Sequence, residues 1–218
     1  QVAYQNRLLD MAYRDPLTGL GKGGQVLVVP MNAPYKTVGE LLAFAKAHPG
    51  KLSFGSGSSS SRMAGEMLKQ LAGVDILHVP YKSNPLAITD LMGGQINLMV
   101  TDMSTGVPQI KAGKLRALGL TSAQRLPGVD IPTFKEQGID LVLANWRSVV
   151  APPGISPEQR KVLSDAVEKM VKSDAWKEIL KQKGWDDAYL GGDAFADFLK
   201  TEIARVTEVL KSVGLVKS

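Results

Sequence analysis

Apolar positions along this chain recur with two spacings, one of short uninterrupted runs and one near 3.6 residues. Gln25-Val26-Leu27-Val28-Val29-Pro30 is an apolar, β-branched run closed by proline, which predicts a buried strand. Leu41, Leu42, Phe44 and Ala45 then follow at helical spacing behind Thr37 and Glu40, the S/T-x-x-E arrangement that caps a helix, and Pro49-Gly50 stops that helix near Ala47. The rhythm repeats. Lys51–Phe54 reads as a strand, a Gly/Ser loop opens a helix to Leu71, and Gly73 closes it as a left-handed cap. Ile76–Pro80 is the next strand, and Asn84–Met92 a helix stopped by Gly93-Gly94. Gln95–Val100 is a strand with Ile96, Leu98 and Val100 on one side, Ser104–Lys111 a helix, and Leu115–Leu120 a further strand.

Strands separated by helices of this length predict an α/β fold with a parallel sheet and crossover helices. Ligands of such sheets collect beyond the carboxyl ends of the strands. Three polar loops, Gly55–Ser61, Tyr81–Asn84 and Thr101–Thr105, fall on that edge. Beyond Arg125-Leu126-Pro127 the texture changes to a turn and short helix at 131–138, then a strand-like run in Leu141–Pro152. Ser156-Pro157-Glu158-Gln159 is a helix start with serine as cap and proline at the first helical position. Helices are expected at about Pro157–Lys172, Ala175–Lys183 and Gly192–Val213.

Composition narrows the chemistry. With 218 residues, 44% of them hydrophobic, the chain can bury a core in one large domain or two lobes. Cysteine is absent, which excludes disulfides, thiolate zinc sites and a cysteine nucleophile and suits an oxidising compartment. His48 and His78 are the only histidines, too few for a His-rich metal site, and no metal or cofactor is expected. The 26 Lys and Arg exceed the 21 Asp and Glu by a formal +5, spread along the chain. No basic run with interleaved aromatics points to nucleic acid, and the mild excess is at most a long-range bias toward anions. No apolar stretch approaches the roughly 20 residues of a membrane span, and Gln1–Arg14 lacks the layout of a signal peptide.

The densest chemistry lies in Phe54-Gly55-Ser56-Gly57-Ser58-Ser59-Ser60-Ser61-Arg62, where a strand passes through glycines and serines into a helix. The first turn of a helix carries N–H groups without intrahelical partners and partial positive charge, and glycines allow close backbone approach. That combination seats a carboxylate or phosphate. The same serines also serve as ordinary N-caps, and the spacing does not separate the two roles. No G-x-S-x-G elbow and no G-x-x-x-x-G-K-[ST] loop surrounds them, which speaks against a serine hydrolase or a phosphate-cradling transferase.

An ordered set of segments carries a family resemblance. Lys36-Thr37-Val38-Gly39-Glu40-Leu41, the Gly55–Ser61 loop with Ala64-Gly65-Glu66, His78-Val79-Pro80-Tyr81-Lys82, Leu91-Met92-Gly93-Gly94-Gln95, Ile110–Leu118 and Thr121-Ser122 are part of it. Ile131-Pro132-Thr133 and Trp146 with Ala151-Pro152-Pro153-Gly154 complete it. From Gln25 onward the chain resembles the solute-binding proteins of tripartite tricarboxylate transporters, the Bug or TctC-like family. The resemblance implies a two-lobe, type II periplasmic-binding-protein architecture, a periplasmic location, and no enzymatic activity. It implies a small carboxylate held in a cleft between lobes and delivered to membrane transporter subunits; a sensor module read by a membrane kinase would share the same binding chemistry.

Residues 25–145 then form a complete α/β ligand-binding lobe. Residues 146–218 form the hinge return and the helical part of the other lobe, and residues 1–24 a short remnant of its first half. That first lobe is expected to be incomplete, with exposed apolar faces favouring a homodimer. Three local departures stand out: a shortened Ser loop, Ser83-Asn84 where the family commonly has glycines, and Thr101-Asp102-Met103-Ser104-Thr105 where it often reads Asp-Asn-x-Pro-Ser.

The expected ligand-binding residues are Gly55, Ser56, Gly57, Ser58, Ser59 and Ser60 as donors, with Tyr81, Thr101, Asp102 and Trp146 around them. Tyr81 serves equally as a packed strand-end residue. Asp102 either caps the helix near Ser104 or accepts from a hydroxyl or ammonium group of the ligand. Trp146 either packs the hinge or faces the ligand. Lys82 and Arg147 read as surface cations, and His78 as a core residue of an apolar strand.

Overall fold

A computed structural model describes residues 15–126, 128–183 and 185–212. The readings made at Gln1–Arg14 and at the helix end Val213 lie outside these residues. The chain divides into two compact units: Gly23–Asn145, and the residues up to Lys22 together with those from Trp146 onward.

In the Gly23–Asn145 unit, β1 (Asp15–Pro30) enters from the other unit and is followed by α1 (Val38–Ala47), β2 (Leu52–Ser56), α2 (Ser59–Ala72) and β3 (Ile76–Pro80). Then come α3 (Asn84–Met92), β4 (Leu98–Asp102), α4 (Met103–Lys111), β5 (Leu115–Leu120) and a short 3-10 turn at Lys135–Gln137. The strands lie in the order β3-β2-β4-β1-β5. β2 runs parallel to β3 and to β4, as crossover helices require. The all-parallel expectation is corrected at β1, which is antiparallel to both β4 and β5. Its direction is set by these two pairings rather than by the crossover helices that join β2, β3 and β4.

Packing on both faces fixes this unit. α2 closes onto one face because Gly65 has no side chain: a Cβ there would fall 2.3 Å from the Phe54 ring. On the other face Val26, Val28 and Met99 bury against Ala87, Ile88 and Leu91 of α3 and Met103 of α4. The Thr37 hydroxyl accepts from Glu40 N at 3.1 Å, as the cap pattern predicts, while the Glu40 carboxylate turns to Lys36 N at 2.6 Å. The strand expected at Gln95–Val100 begins only at Leu98; just before it Asn97 donates its N–H to Ser53 O at 3.0 Å, and its side-chain Oδ1, in place of its carbonyl, accepts Ser53 N at 2.8 Å.

The second unit holds β6 (Ala144–Ala151), α5 (Pro157–Val171), α6 (Asp174–Lys183), β7 (Asp186–Gly191) and α7 (Gly192–Ser212). β6 and β7 both pair with β1, and β7 is antiparallel to it along Thr18–Lys22. Ser156 and Gln159 form a reciprocal capping box at the start of α5. Trp146 packs edge-on against Phe195 and Phe198 of α7, and its indole N–H donates to Glu202 at 3.4 Å. Val171, Trp176 and Leu180 make a separate small cluster. Among the described residues no helix is long and apolar enough to cross a membrane.

Candidate functional site

Each of β2, β3 and β4 runs at its carboxyl end into a helix, so the starts of α2, α3 and α4 lie along one edge of the Gly23–Asn145 sheet. At α2, Ser58 is the cap: its backbone is extended, and its hydroxyl accepts from Ser61 N at 3.2 Å. Arg62 N makes the first intrahelical bond, to Ser58 O. The N–H groups of Ser59 and Ser60 have no acceptor among the described residues. They are the two donors that the helix start offers, backed by the partial positive charge of that end.

Asn84, at the first position of α3 and buried, ties the three loops together. Its Oδ1 accepts from Gly57 N at 2.9 Å, and its Nδ2 donates to the Ser58 hydroxyl at 3.4 Å and to the Asp102 carboxylate at 3.2 Å. Gly57 permits this approach, because a Cβ there would overlap the Ser83 carbonyl carbon at 1.8 Å. Asp102 caps α4 by position but makes no side-chain cap bond there. On β1, Gln25 is the register partner of Asp102, so the two side chains stand side by side on one face. Gln25 Nε2 donates to the Ser60 hydroxyl at 3.3 Å, which in turn lies 3.3 Å from that of Ser58.

A ring of five polar side chains, Ser58, Ser60, Gln25, Asp102 and Asn84, therefore borders the open donors of α2. Of the expected site residues, the structure brings Ser58, Ser59, Ser60 and Asp102 together, with Gly57 behind them. The others serve elsewhere. Gly55 faces Ile96 and Ala87 of α3: a Cβ would fall 2.4 Å from Ile96. The Ser56 hydroxyl lies buried on the α2 face, 2.7 Å from His78 Nε2. Tyr81 donates its hydroxyl to Asp90 at 2.8 Å; burial and then the Asp90 carboxylate push its pKa up to about 12. Thr101 is fully buried beneath Gly106 of α4, with its hydroxyl unpaired among the described residues. Trp146 belongs to the aromatic cluster of the second unit.

Ser56 and His78 resemble a nucleophile with its base, yet their surroundings are those of packing. The His78 ring lies tilted against Phe54 with centroids 4.8 Å apart, and burial followed by the positive charge of Arg62 lowers its pKa, which favours the neutral imidazole. Ser56 is 5% exposed, too enclosed for a substrate carbonyl to reach. No cluster of acidic or histidine side chains suited to a metal occurs among the described residues.

Sequence reasoning did not single out Gln25 and Asn84 as site residues. Gln25 is a polar residue heading an apolar strand, and Asn84 opens α3 one place before Pro85. In both cases that incongruity was the available signal.

Residues 8–215 match the model of the tripartite tricarboxylate transporter family receptor, TctC. The UPF0065 protein in the gbd 5' region of Cupriavidus necator is 34% identical over 214 residues, covering 96% of this chain and 64% of that protein. Protein BugT of Bordetella pertussis is 28% identical, covering 91% of this chain and 62% of its own length. The chain thus spans less than two thirds of these relatives. Among solved structures, R. palustris Rpa4515 with adipate superposes with a TM-score of 0.83 at 28% identity, covering 92% of this chain and 69% of that one. The periplasmic binding protein BugD gives 0.81 at 25% identity, covering 94% and 72%. With the family model matched over residues 8–215 and these relatives beside it, the chain belongs to the TctC family of tripartite tricarboxylate transporter receptors.

Proposed function

We propose that this chain is the carboxylate-recognising part of a periplasmic solute-binding protein that delivers its ligand to a tripartite tricarboxylate-type transporter. One observation carries the reading: the open N–H groups of Ser59 and Ser60 at the start of α2, bordered by the hydroxyls of Ser58 and Ser60. Donors aimed from a helix start suit a carboxylate held by hydrogen bonds. The adipate bound by the related Rpa4515 supports the ligand class. In this reading the Gly23–Asn145 unit is the ligand-binding lobe, and binding rather than turnover is its role.

The test is a thermal-shift and calorimetric screen against straight-chain mono- and dicarboxylates, with neutral sugars and amines as controls. A ligand that binds the folded state raises the melting temperature by mass action. Carboxylates are expected to do so, and Ser60→Ala, which removes one hydroxyl from the seat, to weaken them. Stabilisation by sugars or amines alone, or turnover of esters lost on Ser56→Ala, would overturn the reading.

A further inference from the structure

We propose that Thr121 is a positioning residue of the carboxylate seat: its hydroxyl joins the two passages of the chain between the units and, by holding Gln25, sets where Ser60 stands. The proposal rests on the carboxylate reading above and adds to it the residue that braces the seat from behind.

The chain passes between its two units at Lys22–Gly23 and again at Asn145–Trp146. Gln25 follows the first passage, Leu143 precedes the second, and both are bonded to Thr121, just beyond β5. One step past the Val26–Leu120 register of β1 and β5, Thr121 stands opposite Gln25. A regular antiparallel pair at such a position exchanges two backbone bonds. Here Thr121 N–H donates to Gln25 O at 2.9 Å, but Gln25 N–H turns to the Thr121 hydroxyl, also at 2.9 Å. That substitution frees the Thr121 carbonyl to accept Leu143 N–H at 2.9 Å, while the hydroxyl proton goes to Leu143 O at 2.6 Å. One side chain thus lets three segments meet where a plain ladder would join two. Thr121, Gln25 and Leu143 are all buried, so loss of the hydroxyl strands a donor and an acceptor away from solvent.

The link to the seat runs through Gln25. In an antiparallel strand the N–H and C=O of one residue point to the same side, so Gln25 turns both backbone groups to Thr121 and away from β4. Its buried side chain then reaches the Ser60 hydroxyl through Nε2 at 3.3 Å, and that hydroxyl lies 3.3 Å from the hydroxyl of Ser58. Thr121 therefore acts on the seat through Gln25, without a contact of its own to the start of α2.

The experiment compares wild type, Thr121→Val and Thr121→Ser by residue-resolved amide hydrogen exchange and by calorimetric titration with adipate. Valine keeps the shape and removes the hydroxyl; serine restores it. In Thr121→Val the amides of Gln25 and Leu143 should exchange about tenfold faster relative to those of α1, and adipate should bind about tenfold more weakly, the scale of one lost hydrogen bond. The Ser58–Ser61 amide resonances should move as well. Thr121→Ser should return exchange, resonances and affinity to near wild type.

A wholly structural Thr121 would lower the melting temperature and speed exchange throughout the unit, with the Ser58–Ser61 resonances and the adipate constant unmoved; that result overturns the inference and leaves the carboxylate reading standing. Failure of serine to rescue overturns the role of the hydroxyl. If wild type binds neither adipate nor any other carboxylate, the carboxylate reading falls, and the resonances of Ser58–Ser61 still decide whether Thr121 positions them. If Thr121→Val does not fold, Gln25→Met takes its place: it keeps the backbone bonds to Thr121 and removes the Nε2 donor. Unmoved Ser58–Ser61 resonances in that variant overturn the link.

Discussion

The two units reach compactness by different means. In Gly23–Asn145 a five-strand order is covered on both faces, and Phe54, Leu27, Leu41 and Met99 are almost fully removed from solvent. In the unit from Trp146 onward, helices gather round one aromatic cluster and one small group at Trp176, and Val162 of α5 remains 68% exposed. The difference bears on where fine chemistry can reside. A polar ring held to hydrogen-bond distances needs supporting elements locked from both sides. The ring of Ser58, Ser60, Gln25, Asp102 and Asn84 stands at the edge of the sheet that has that support.

The sharpest way to break this comparison is to open the sheet's core. Phe54→Ala removes a buried ring between α2 and β2 and should cost about 3–5 kcal/mol. All 3 tryptophans, Trp146, Trp176 and Trp185, lie in the second unit, so their fluorescence reports that unit while far-UV circular dichroism reports both. In a urea titration the dichroism midpoint should fall while the fluorescence midpoint holds. A matching fall in fluorescence would show that the distinction between the units has no energetic counterpart.

A smaller effect is expected at the close approach of two loops. Gly57→Ala forces a Cβ into the Ser83 backbone and should cost about 1–3 kcal/mol by overpacking. It should also separate Asn84 from Gly57 N, and so weaken carboxylate binding beyond what the loss of stability explains. Retained affinity in a destabilised Gly57→Ala protein would detach the Asn84 bridge from the site.

Much of this architecture was legible in the chain. The strand at Val26–Val29, the caps at Thr37 and Ser156 and the left-handed Gly73 follow from local chemistry, and each operates as local chemistry dictates. What escaped depends on partners far away in sequence. The first half of β1, Asp-Pro-Leu-Thr-Gly-Leu-Gly, has no strand rhythm and becomes a strand by pairing with Asp186–Gly191, itself too polar to suggest one. The antiparallel sense of β1 is fixed by its pairing with β4 and β5, partners about 70 to 95 residues away that no local pattern encodes. The Gly/Ser loop was visible as a seat, but which of its serines remain open was not. Ser56 turns to His78 and Ser61 to the Val100 carbonyl, partners set by the β2–β3 register and by the packing of α2.

A pH titration probes the α2 face of the sheet. Burial lowers the His78 pKa in the folded protein below the unfolded value of about 6.5. Below that value the unfolded chain takes up a proton more readily than the folded one. The stability this group contributes is therefore complete above the unfolded pKa and lost as pH falls through it toward the folded value. Wild type should lose stability between neutral and mildly acid pH, and His78→Gln, which titrates nothing, should lose less. Identical pH dependence in the two proteins would mean that His78 is not held neutral against Phe54 and Ser56.

The smallest effect separates the units most finely. Ser58 caps α2 in the first unit and Ser156 caps α5 in the second, each accepting a backbone N–H at 3.2 Å. Replacing either with alanine should cost about 1 kcal/mol, the usual worth of an N-cap. Similar stability losses are expected because each hydroxyl accepts one backbone N–H at the same distance. Their consequences should part at the ligand: Ser58 also accepts from Asn84 and lies beside Ser60, whereas the Ser156–Gln159 box is closed upon itself. Ser58→Ala should therefore weaken carboxylate affinity while Ser156→Ala leaves it unchanged. If both variants keep full affinity, Ser58 is a cap and nothing more, and the anion seat must be sought away from the start of α2.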